Sequence, residues 1–306
     1  MFAGFQVVGV AGWAGMISGP GWGRLTVMQA TTAKLMLGKP VADRILEQCR
    51  QRVRGLVERS GVRPCLAVVL VGDDPLAARY LERKGQGCER LGMTSRLVRL
   101  PALISTAELL GALEELGNDR SVHALLLQYP LPAHLDASTA FGAIPAAKDV
   151  DGICRPRSGL TSCTAEAVRR LLAAYAVGVA GKTAVVAGRG ATLGEPLAQM
   201  LVADHALVTV CDGPVPRMAG RIGTGDLVVT ALGQARVVRG EWLKAGAVVV
   251  DTGLNAVEGR PVGDVDFESA SARASWITPV PGGVGPMTMA VLLERTASAA
   301  ARQVGD

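Results

Sequence analysis

Tyr80 and Lys84 lie four residues apart in a segment with helical periodicity, so both side chains project from one face of the predicted helix. A Tyr ring can stack on a flat heterocycle, and a Lys that loses solvation can donate and accept a proton near neutral pH. A pair with this spacing is more often part of a solvated helix face. It indicates an acid–base site only if other residues hold the Lys at a ligand.

Two further segments offer polar groups to such a ligand. An apolar strand ends at Gln128, and Pro130 and Pro132 then direct the chain beyond the carboxyl edge of the sheet, where open α/β folds bind ligands. A plain strand terminator explains this segment equally well. The second segment, Lys148-Asp149-Val150-Asp151-Gly152, carries two carboxylates, which either accept paired N–H bonds from a heterocycle or form a solvated acidic turn.

The most specific segment is Thr278-Pro279-Val280-Pro281-Gly282-Gly283-Val284-Gly285-Pro286-Met287-Thr288. Its first two prolines restrict the chain, its glycines can place backbone amides against a flat ligand, and Pro286 opens a helix. A purely structural turn would need only one or two of these residues.

A glycine turn, Gly188-Arg189-Gly190-Ala191-Thr192-Leu193-Gly194, follows a predicted strand and precedes a helix. Such a turn lets the backbone approach a pyrophosphate, whose charge the helix N-terminus stabilises. Three residues rather than two precede the last glycine, so the motif alone is a weak match. The next strand ends at Asp212, where a carboxylate could accept ribose hydroxyls. The context favours cofactor binding over an ordinary tight turn.

Alternating elements must position these residues. We predict strands over 65–71, 96–100, 122–128, 182–187, 207–211, 227–230 and 247–251, and helices over 40–60, 74–91, 105–116, 164–175, 194–203 and 287–304. Ser105 and Glu108 form a capping box at the third helix, and Thr164 is the expected cap of the fourth. Strands that alternate with helices predict an α/β fold of two domains, divided near residue 164, whose parallel sheets are covered on both faces.

Composition limits the class of protein further. An apolar content of 49% in 306 residues excludes a disordered or fibrous chain. The net charge of +5 is dispersed, so it gives no argument for nucleic acid and suits an anionic small ligand equally well. The six cysteines show no metal-ligand spacing, so we expect packed thiols and no metal site. Without a credible signal peptide, a cytoplasmic protein with no membrane partner is expected.

Residues 1–27 differ from the rest of the chain. They carry no charge before Arg24, and Gly-Pro-Gly at 19–21 interrupts any spanning helix. We expect either a disordered leader or, preferably, a start codon placed upstream of Met28.

Taken in order from about Leu37 to Thr296, the chain resembles the bifunctional methylenetetrahydrofolate dehydrogenase/cyclohydrolase family. The segments that carry this resemblance are Tyr80 with Lys84, Val122-His123 through Gln128-Tyr129-Pro130-Leu131-Pro132, Lys148-Asp149-Val150-Asp151-Gly152, Ser162-Cys163-Thr164, the turn at 188–196, Asp251-Thr252-Gly253-Leu254-Asn255, Gly263-Asp264-Val265, and 278–288. Each could occur by chance, but the ordered set is very specific.

The resemblance implies a folate cleft between two domains. The N-terminal catalytic domain would span 28–163 and be rejoined by 286–306, and a Rossmann-type NAD(P)-binding domain would span 164–285. In the family, a hydride passes from the methylene bridge of 5,10-methylenetetrahydrofolate to the nicotinamide. Water is then added to the methenyl cation, which gives 10-formyltetrahydrofolate. The resemblance also implies a homodimer.

The resemblance further assigns residue roles. Lys84 would be the general acid/base, Tyr80 would pack against the folate, Gln128 would hydrogen-bond Lys84, and Asp151 would bind the pterin edge. The remaining expected contacts are Pro281, Gly282 and Gly283 to substrate, and Gly188, Arg189, Gly190, Gly194, Asp212, Asn255 and Thr278 to the nucleotide. Adding water requires a proton acceptor, and a Lys near a cationic intermediate has a lowered pKa.

Several residues depart from the family pattern. Ala77 stands where a Ser is usual, Gly190 replaces a Ser, the loop between Gly152 and Cys163 is shorter than usual, and Ser162-Cys163-Thr164-Ala165 replaces Pro-Cys-Thr-Pro. Asp212-Gly213 replaces His-Ser. The family habit is NADP, and Arg189, Arg217 and Arg221 suit a phosphate. The Asp212 carboxylate favours NAD, so NAD is not excluded.

Three alternative functions can be compared with the bifunctional enzyme. Ala77 and the shortened loop flank the folate side, which leaves room for a dehydrogenase with weak or no cyclohydrolase activity. A non-catalytic folate- or nucleotide-binding paralogue would have no need of Lys84. A two-domain dehydrogenase acting on an amino or keto acid would not explain the run at 278–288.

Overall fold

The computed structural model describes residues 33–153, 158–214 and 217–305, with the backbone but not the side chains of residues 75–80. The predicted leader at 1–27 therefore lies outside the described residues. Among the helices of the described residues, none is both long and apolar enough to cross a membrane.

The first part of the chain forms a three-stranded parallel sheet with the order β3-β2-β4. Its strands are β2 (Cys65–Val71), β3 (Thr94–Leu100) and β4 (Ala124–Leu127), and the accompanying helices are α1 (Gly38–Ser60), α2 (Pro75–Arg90), α3 (Thr106–Asn118) and α4 (Ala137–Gly142). Every residue of β2 after Cys65 is buried, because this central strand is covered on both faces. The predicted capping box at Ser105 and Glu108 is confirmed, with both reciprocal hydrogen bonds present.

The second part contains a six-stranded parallel sheet with the order β1-β11-β8-β7-β5-β6. Its strands are β1 (Lys34–Leu35), β5 (Thr183–Ala187), β6 (Leu207–Cys211), β7 (Leu227–Thr230), β8 (Val248–Asp251) and β11 (Trp276–Ile277). The helices are α5 (Cys163–Ala174), α6 (Gly194–Ala203), α7 (Ala219–Ile222) and α8 (Phe267–Ser271), and β9 (Asn255–Val257) with β10 (Arg260–Val262) forms a separate antiparallel pair. The predicted α/β fold with parallel sheets is confirmed.

The strand β1 lies at one edge of the second sheet, although it precedes every element of the first. Lys34 pairs with Trp276 and Leu35 with Ile277. A small piece of the segment predicted as the first domain thus belongs to the other sheet. The sequence does not predict this strand, because two residues carry no periodicity. The domain bounds given above stay a prediction.

The last helix, α9 (Val284–Val304), returns to the first part of the chain, as predicted. It packs chiefly against α1 and α5. Glu294 on α9 forms ion pairs with Arg170 of α5 at 2.6 Å and with Arg52 of α1 at 3.5 Å. These contacts join the two ends of the chain, so residues of α9 can contribute to a site built mainly by α2 and β4.

Helix α5 begins earlier than predicted. The Ser162 hydroxyl accepts a hydrogen bond from the Ala165 N–H at 3.1 Å, so Ser162 is the N-cap. The prediction that Thr164 caps this helix is wrong, because Cys163 is already the first helical residue and Thr164 therefore lies inside the first turn.

The described cysteines carry free thiols. The prediction of packed thiols is confirmed for Cys49, Cys88, Cys163 and Cys211, which are buried, whereas Cys65 is partly exposed and Cys154 lies outside the described residues.

Candidate active site

Helix α2 brings Lys84 to the carboxyl end of β4. The Lys84 Nζ donates to the Gln128 Oε1 at 2.8 Å, which is the hydrogen bond implied by the resemblance. The orientation of the amide is fixed from its other side, because the Gln128 Nε2 donates to the Tyr129 carbonyl at 2.9 Å. Two residues 44 positions apart are thereby joined at the edge where ligands bind in α/β folds.

The environment of Lys84 favours its neutral form more than water does. Burial lowers the pKa of Lys84, and the nearby Asp151 and Cys163 groups oppose that change. A Lys with a lowered pKa can accept a proton at a pH where an exposed Lys cannot. Tyr80 lies one turn earlier on α2, but its side chain is outside the described ones.

The charged residues of the segment at 148–152 make different contacts. Lys148 donates to the Asp119 carbonyl at 2.6 Å and so binds the C-terminal end of α3. The Asp149 Oδ1 accepts the Gly152 N–H at 2.9 Å, which closes the turn. Asp151 is the carboxylate that interacts electrostatically with Lys84, since each shifts the pKa of the other.

Two cations, Lys84 and Arg295, influence the charge of Asp151. Burial raises the pKa of Asp151, and this effect is opposed by Lys84, by the Cys163 thiol and by Arg295. Asp149 acts in the same direction as burial. Arg295 is a residue that the sequence does not predict, because an isolated Arg in an amphipathic helix has no distinguishing signal.

The glycine turn after β5 is too tight for side chains at its first and last glycine. Gly188 has φ +111°. A Cβ there would lie 2.2 Å from the Ala231 carbonyl oxygen, and one at Gly194 would lie 1.9 Å from the Gly188 carbonyl oxygen. A Cβ at Gly190 would have no neighbouring atom within 4 Å, so this position faces open space. Arg189 is exposed beside it.

This turn fits the pyrophosphate of a dinucleotide. Within the described residues no side chain caps α6, whose first residue is Gly194. An uncapped helix N-terminus behind a glycine-rich turn is the arrangement that binds such a group. The end of the neighbouring strand β6 carries the exposed Asp212, and Arg221 lies near the adjacent Cys211, whose pKa is raised by burial and lowered by Arg221. A ribose bound at the end of β6 would lie near both the Asp212 carboxylate and the Arg221 guanidinium.

A buried carboxylate organises the loops at the carboxyl edge of the second sheet. Asp251 closes β8, and its Oδ1 accepts the Gly253 N–H at 2.8 Å and the Asp264 N–H at 3.0 Å. The Oδ1 also accepts the Thr230 hydroxyl at 3.1 Å, and the Oδ2 accepts the Val265 N–H at 2.9 Å. Burial raises the pKa of Asp251 to about 6, although the backbone hydrogen bonds oppose this change.

A second buried carboxylate, Asp264, continues this network. It accepts the Leu232 N–H at 2.6 Å and the Gln234 N–H at 3.1 Å. The Asn255 Nδ2 donates to Asp264 at 2.9 Å, and the Thr278 Oγ1 accepts the Asp251 N–H at 2.8 Å. The structure therefore brings Asn255 and Thr278 together, as parts of the network that holds the predicted nucleotide loops.

The predicted substrate contacts at 281–283 lie where α9 begins. The Gly282 carbonyl accepts the Gly38 N–H from the start of α1 at 2.8 Å, and the Gly283 N–H donates to the Pro279 carbonyl at 2.8 Å. Pro281 is exposed, and Gly283 is the N-cap of α9. This segment thus joins the last helix to the first.

Comparison with known families agrees with this arrangement. Residues 36–151 match the model of the tetrahydrofolate dehydrogenase/cyclohydrolase catalytic domain, and residues 162–304 match that of its NAD(P)-binding domain. The chain belongs to the tetrahydrofolate dehydrogenase/cyclohydrolase family. The family resemblance and the predicted pair of activities are thereby confirmed.

Similar proteins come from several organisms. The bifunctional protein FolD 1 of Streptomyces avermitilis is 47% identical over 287 residues, which cover 91% of this chain and 99% of that protein. Among solved structures, the bifunctional FolD of Campylobacter jejuni has a TM-score of 0.82 and 37% identity, covering 88% of this chain and 99% of its own. The Trypanosoma brucei enzyme, solved with NADP and an inhibitor, has a TM-score of 0.84 and 36% identity, covering 90% and 99%.

Proposed function

We propose that this tetrahydrofolate dehydrogenase/cyclohydrolase oxidises 5,10-methylenetetrahydrofolate with NADP⁺ and hydrolyses the 5,10-methenyl product to 10-formyltetrahydrofolate. The observation that carries the proposal is the hydrogen bond between Lys84 and Gln128 beside Asp151. A module that only binds ligands has no need of a buried Lys with a lowered pKa.

In the dehydrogenase step the protein mainly positions two flat rings. A nicotinamide nucleotide bound at the turn from Gly188 to Gly194 supplies the hydride acceptor. The carbocation left on the substrate is delocalised over two nitrogens, so no residue has to remove a proton. Asp151, by accepting N–H bonds from the pterin edge, would orient the folate.

The cyclohydrolase step makes greater demands on the side chains. Water forms a bond to the methenyl carbon and gives a proton to the neutral Lys84. The bond between that carbon and N5 then breaks, and N5 takes the proton from Lys84. The hydroxyl proton left on the adduct passes to solvent as the formyl C=O forms, so one proton is released overall. Gln128 accepts a hydrogen bond from Lys84 and so keeps its side chain in the same position in the neutral and the protonated form.

The direct test supplies 5,10-methylenetetrahydrofolate with each nucleotide and follows reduced nucleotide and 10-formyltetrahydrofolate separately. We expect both products. Reduced nucleotide with accumulation of the methenyl compound would instead identify a dehydrogenase without cyclohydrolase activity. The absence of any folate-dependent absorbance change would identify a binding protein and refute the proposal.

The nucleotide preference can be shifted in opposite directions at two exposed charges, Asp212 and Arg189. Because Asp212 repels a ribose phosphate and Arg189 attracts one, Asp212→Asn should raise the ratio of kcat/KM for NADP to that for NAD, and Arg189→Met should lower it. Exposed charge interactions of this kind correspond to roughly two- to fivefold changes. Initial rates with both nucleotides measure the ratio, and a ratio that moves in the same direction in both variants would contradict the assignment.

We also propose a cytoplasmic homodimer that binds tetrahydrofolate derivatives. The family resemblance supports the dimer, and light scattering of the purified chain would measure its mass in solution.

A further inference from the structure

Arg295 connects the last helix to the loop that carries Asp151. Its Nη1 donates to the Thr161 carbonyl at 2.7 Å and to the Val150 carbonyl at 3.3 Å. The same nitrogen lies 3.5 Å from the Cys163 Sγ. One guanidinium thus contacts Val150, next to Asp151, as well as Thr161 and Cys163.

The two sides of this loop also contact each other directly. The Cys163 N–H donates to the Asp151 carbonyl at 2.9 Å, and the Cys163 thiol donates to the Val150 carbonyl at 3.2 Å. Arg295 therefore contacts two segments that are hydrogen-bonded to each other, and one of them carries Asp151.

The charged and titratable groups that face Asp151 come from every element around it. Lys84 projects from α2, Arg295 from α9 and the Cys163 thiol from α5, while Asp149 lies on the same segment as Asp151. The cations Lys84 and Arg295 thus lower the pKa of Asp151, whereas the carboxylate of Asp149 raises it. Loss of one cation leaves Asp151 more easily protonated, because burial already disfavours its charge.

We propose that Arg295 is a positioning residue of the folate site, which joins the 150–151 segment to Thr161 and Cys163 and thereby fixes the position of Asp151. This inference rests on the proposed function, in which the ionised Asp151 accepts N–H bonds from the pterin. Arg295 does not contact substrate in this account and acts only through Asp151.

The sign of the expected pH effect follows from the charges. Arg295 lowers the pKa of Asp151, so its removal raises that pKa. The acid limb of kcat/KM for the folate then moves to higher pH, and activity recovers above it. A residue that only stabilises the fold would lower activity at every pH and leave the limb in place.

The test compares Arg295→Met and Arg295→Lys in the full chain with saturating nucleotide. In the Met variant we expect the acid limb to move to higher pH, with a lower kcat/KM below the limb. In the Lys variant we expect the wild-type limb with a lower kcat/KM, because an ammonium keeps the charge but not the geometry of the carbonyl contacts. Arg302→Met, an exposed position on the same helix, is the control and should keep the wild-type profile.

An unmoved limb in the Met variant would overturn the inference. If the Met variant does not fold, the Lys variant provides the test. A shifted acid limb or an unaltered kcat/KM in the Lys variant would also overturn the inference. Wild-type enzyme without folate activity would refute the proposed function instead.

Discussion

Lys84→Met is expected to abolish cyclohydrolase activity, with a loss of about 10²–10⁴-fold, the range for removal of a positioned general acid or base. Met has nearly the same length as Lys and cannot exchange a proton. Dehydrogenase activity should fall less, because hydride transfer needs no base. Separate assays of 10-formyltetrahydrofolate and of reduced nucleotide measure the two effects.

A matched control for this variant is Lys39→Met. Lys39 is an exposed Lys on α1 that forms an ion pair with Asp43. It should leave both activities unchanged. Undiminished production of 10-formyltetrahydrofolate by the Lys84 variant would remove Lys84 from the mechanism.

The pH dependence of the wild-type enzyme gives independent information on the same group. The amine of Lys84 must be neutral to accept a proton from water, so cyclohydrolase activity should rise with pH through the pKa of Lys84. Because burial lowers that pKa, the rise should occur below the pH at which an ordinary Lys titrates.

The sequence predicts the fold and the acid–base pair well, for identifiable reasons. The strands β2 and β4 are continuous apolar runs, and Gln128 ends the second of them, so its position at the sheet edge follows from the parallel arrangement. The position of Lys84 on the same helix face as Tyr80 follows from their spacing of four residues. Their contact depends on how α2 lies across the sheet, which a linear pattern does not contain.

Other features of the site are decided only by packing. The sequence shows two equivalent carboxylates in the 148–152 segment, and only the structure assigns Asp149 to the turn and Asp151 to Lys84. Arg295 is recognisable only when α9 is placed against the Asp151 loop. Likewise, Asn255 and Thr278 match a nucleotide motif, but the structure shows the hydrogen bonds by which Asp251 and Asp264 hold them.

Replacement of Asp251 should have the largest effect on stability. In Asp251→Ala the N–H groups of Gly253, Asp264 and Val265 lose their buried acceptor, and the expected loss is roughly 3–5 kcal/mol of the free energy of unfolding. The loops that hold Asn255 should loosen with it, so the KM for the nucleotide should rise more than the KM for the folate. Urea unfolding and initial rates measure the two quantities.

The conservative variant Asp251→Asn separates the charge of this group from its hydrogen bonds. Burial raises the pKa of Asp251 from 3.8 to about 6, so the folded state holds this proton more tightly than the unfolded state does. The stabilisation from that proton is complete below the unfolded pKa and is lost as the pH rises to about 6. Two pKa units correspond to about 3 kcal/mol. The stability of the wild type relative to the Asn variant should therefore decrease across this interval.

Asp226→Asn gives the control of opposite sign. A hydrogen bond from Lys244 lowers the pKa of Asp226, so its contribution to stability is present above the unfolded pKa and is lost as the pH falls. The stability of the wild type relative to this variant should therefore increase with pH over the acidic range. If both differences change with pH in the same direction, then Asp251 is not a buried carboxylate with a raised pKa, and the network around it must be held in another way.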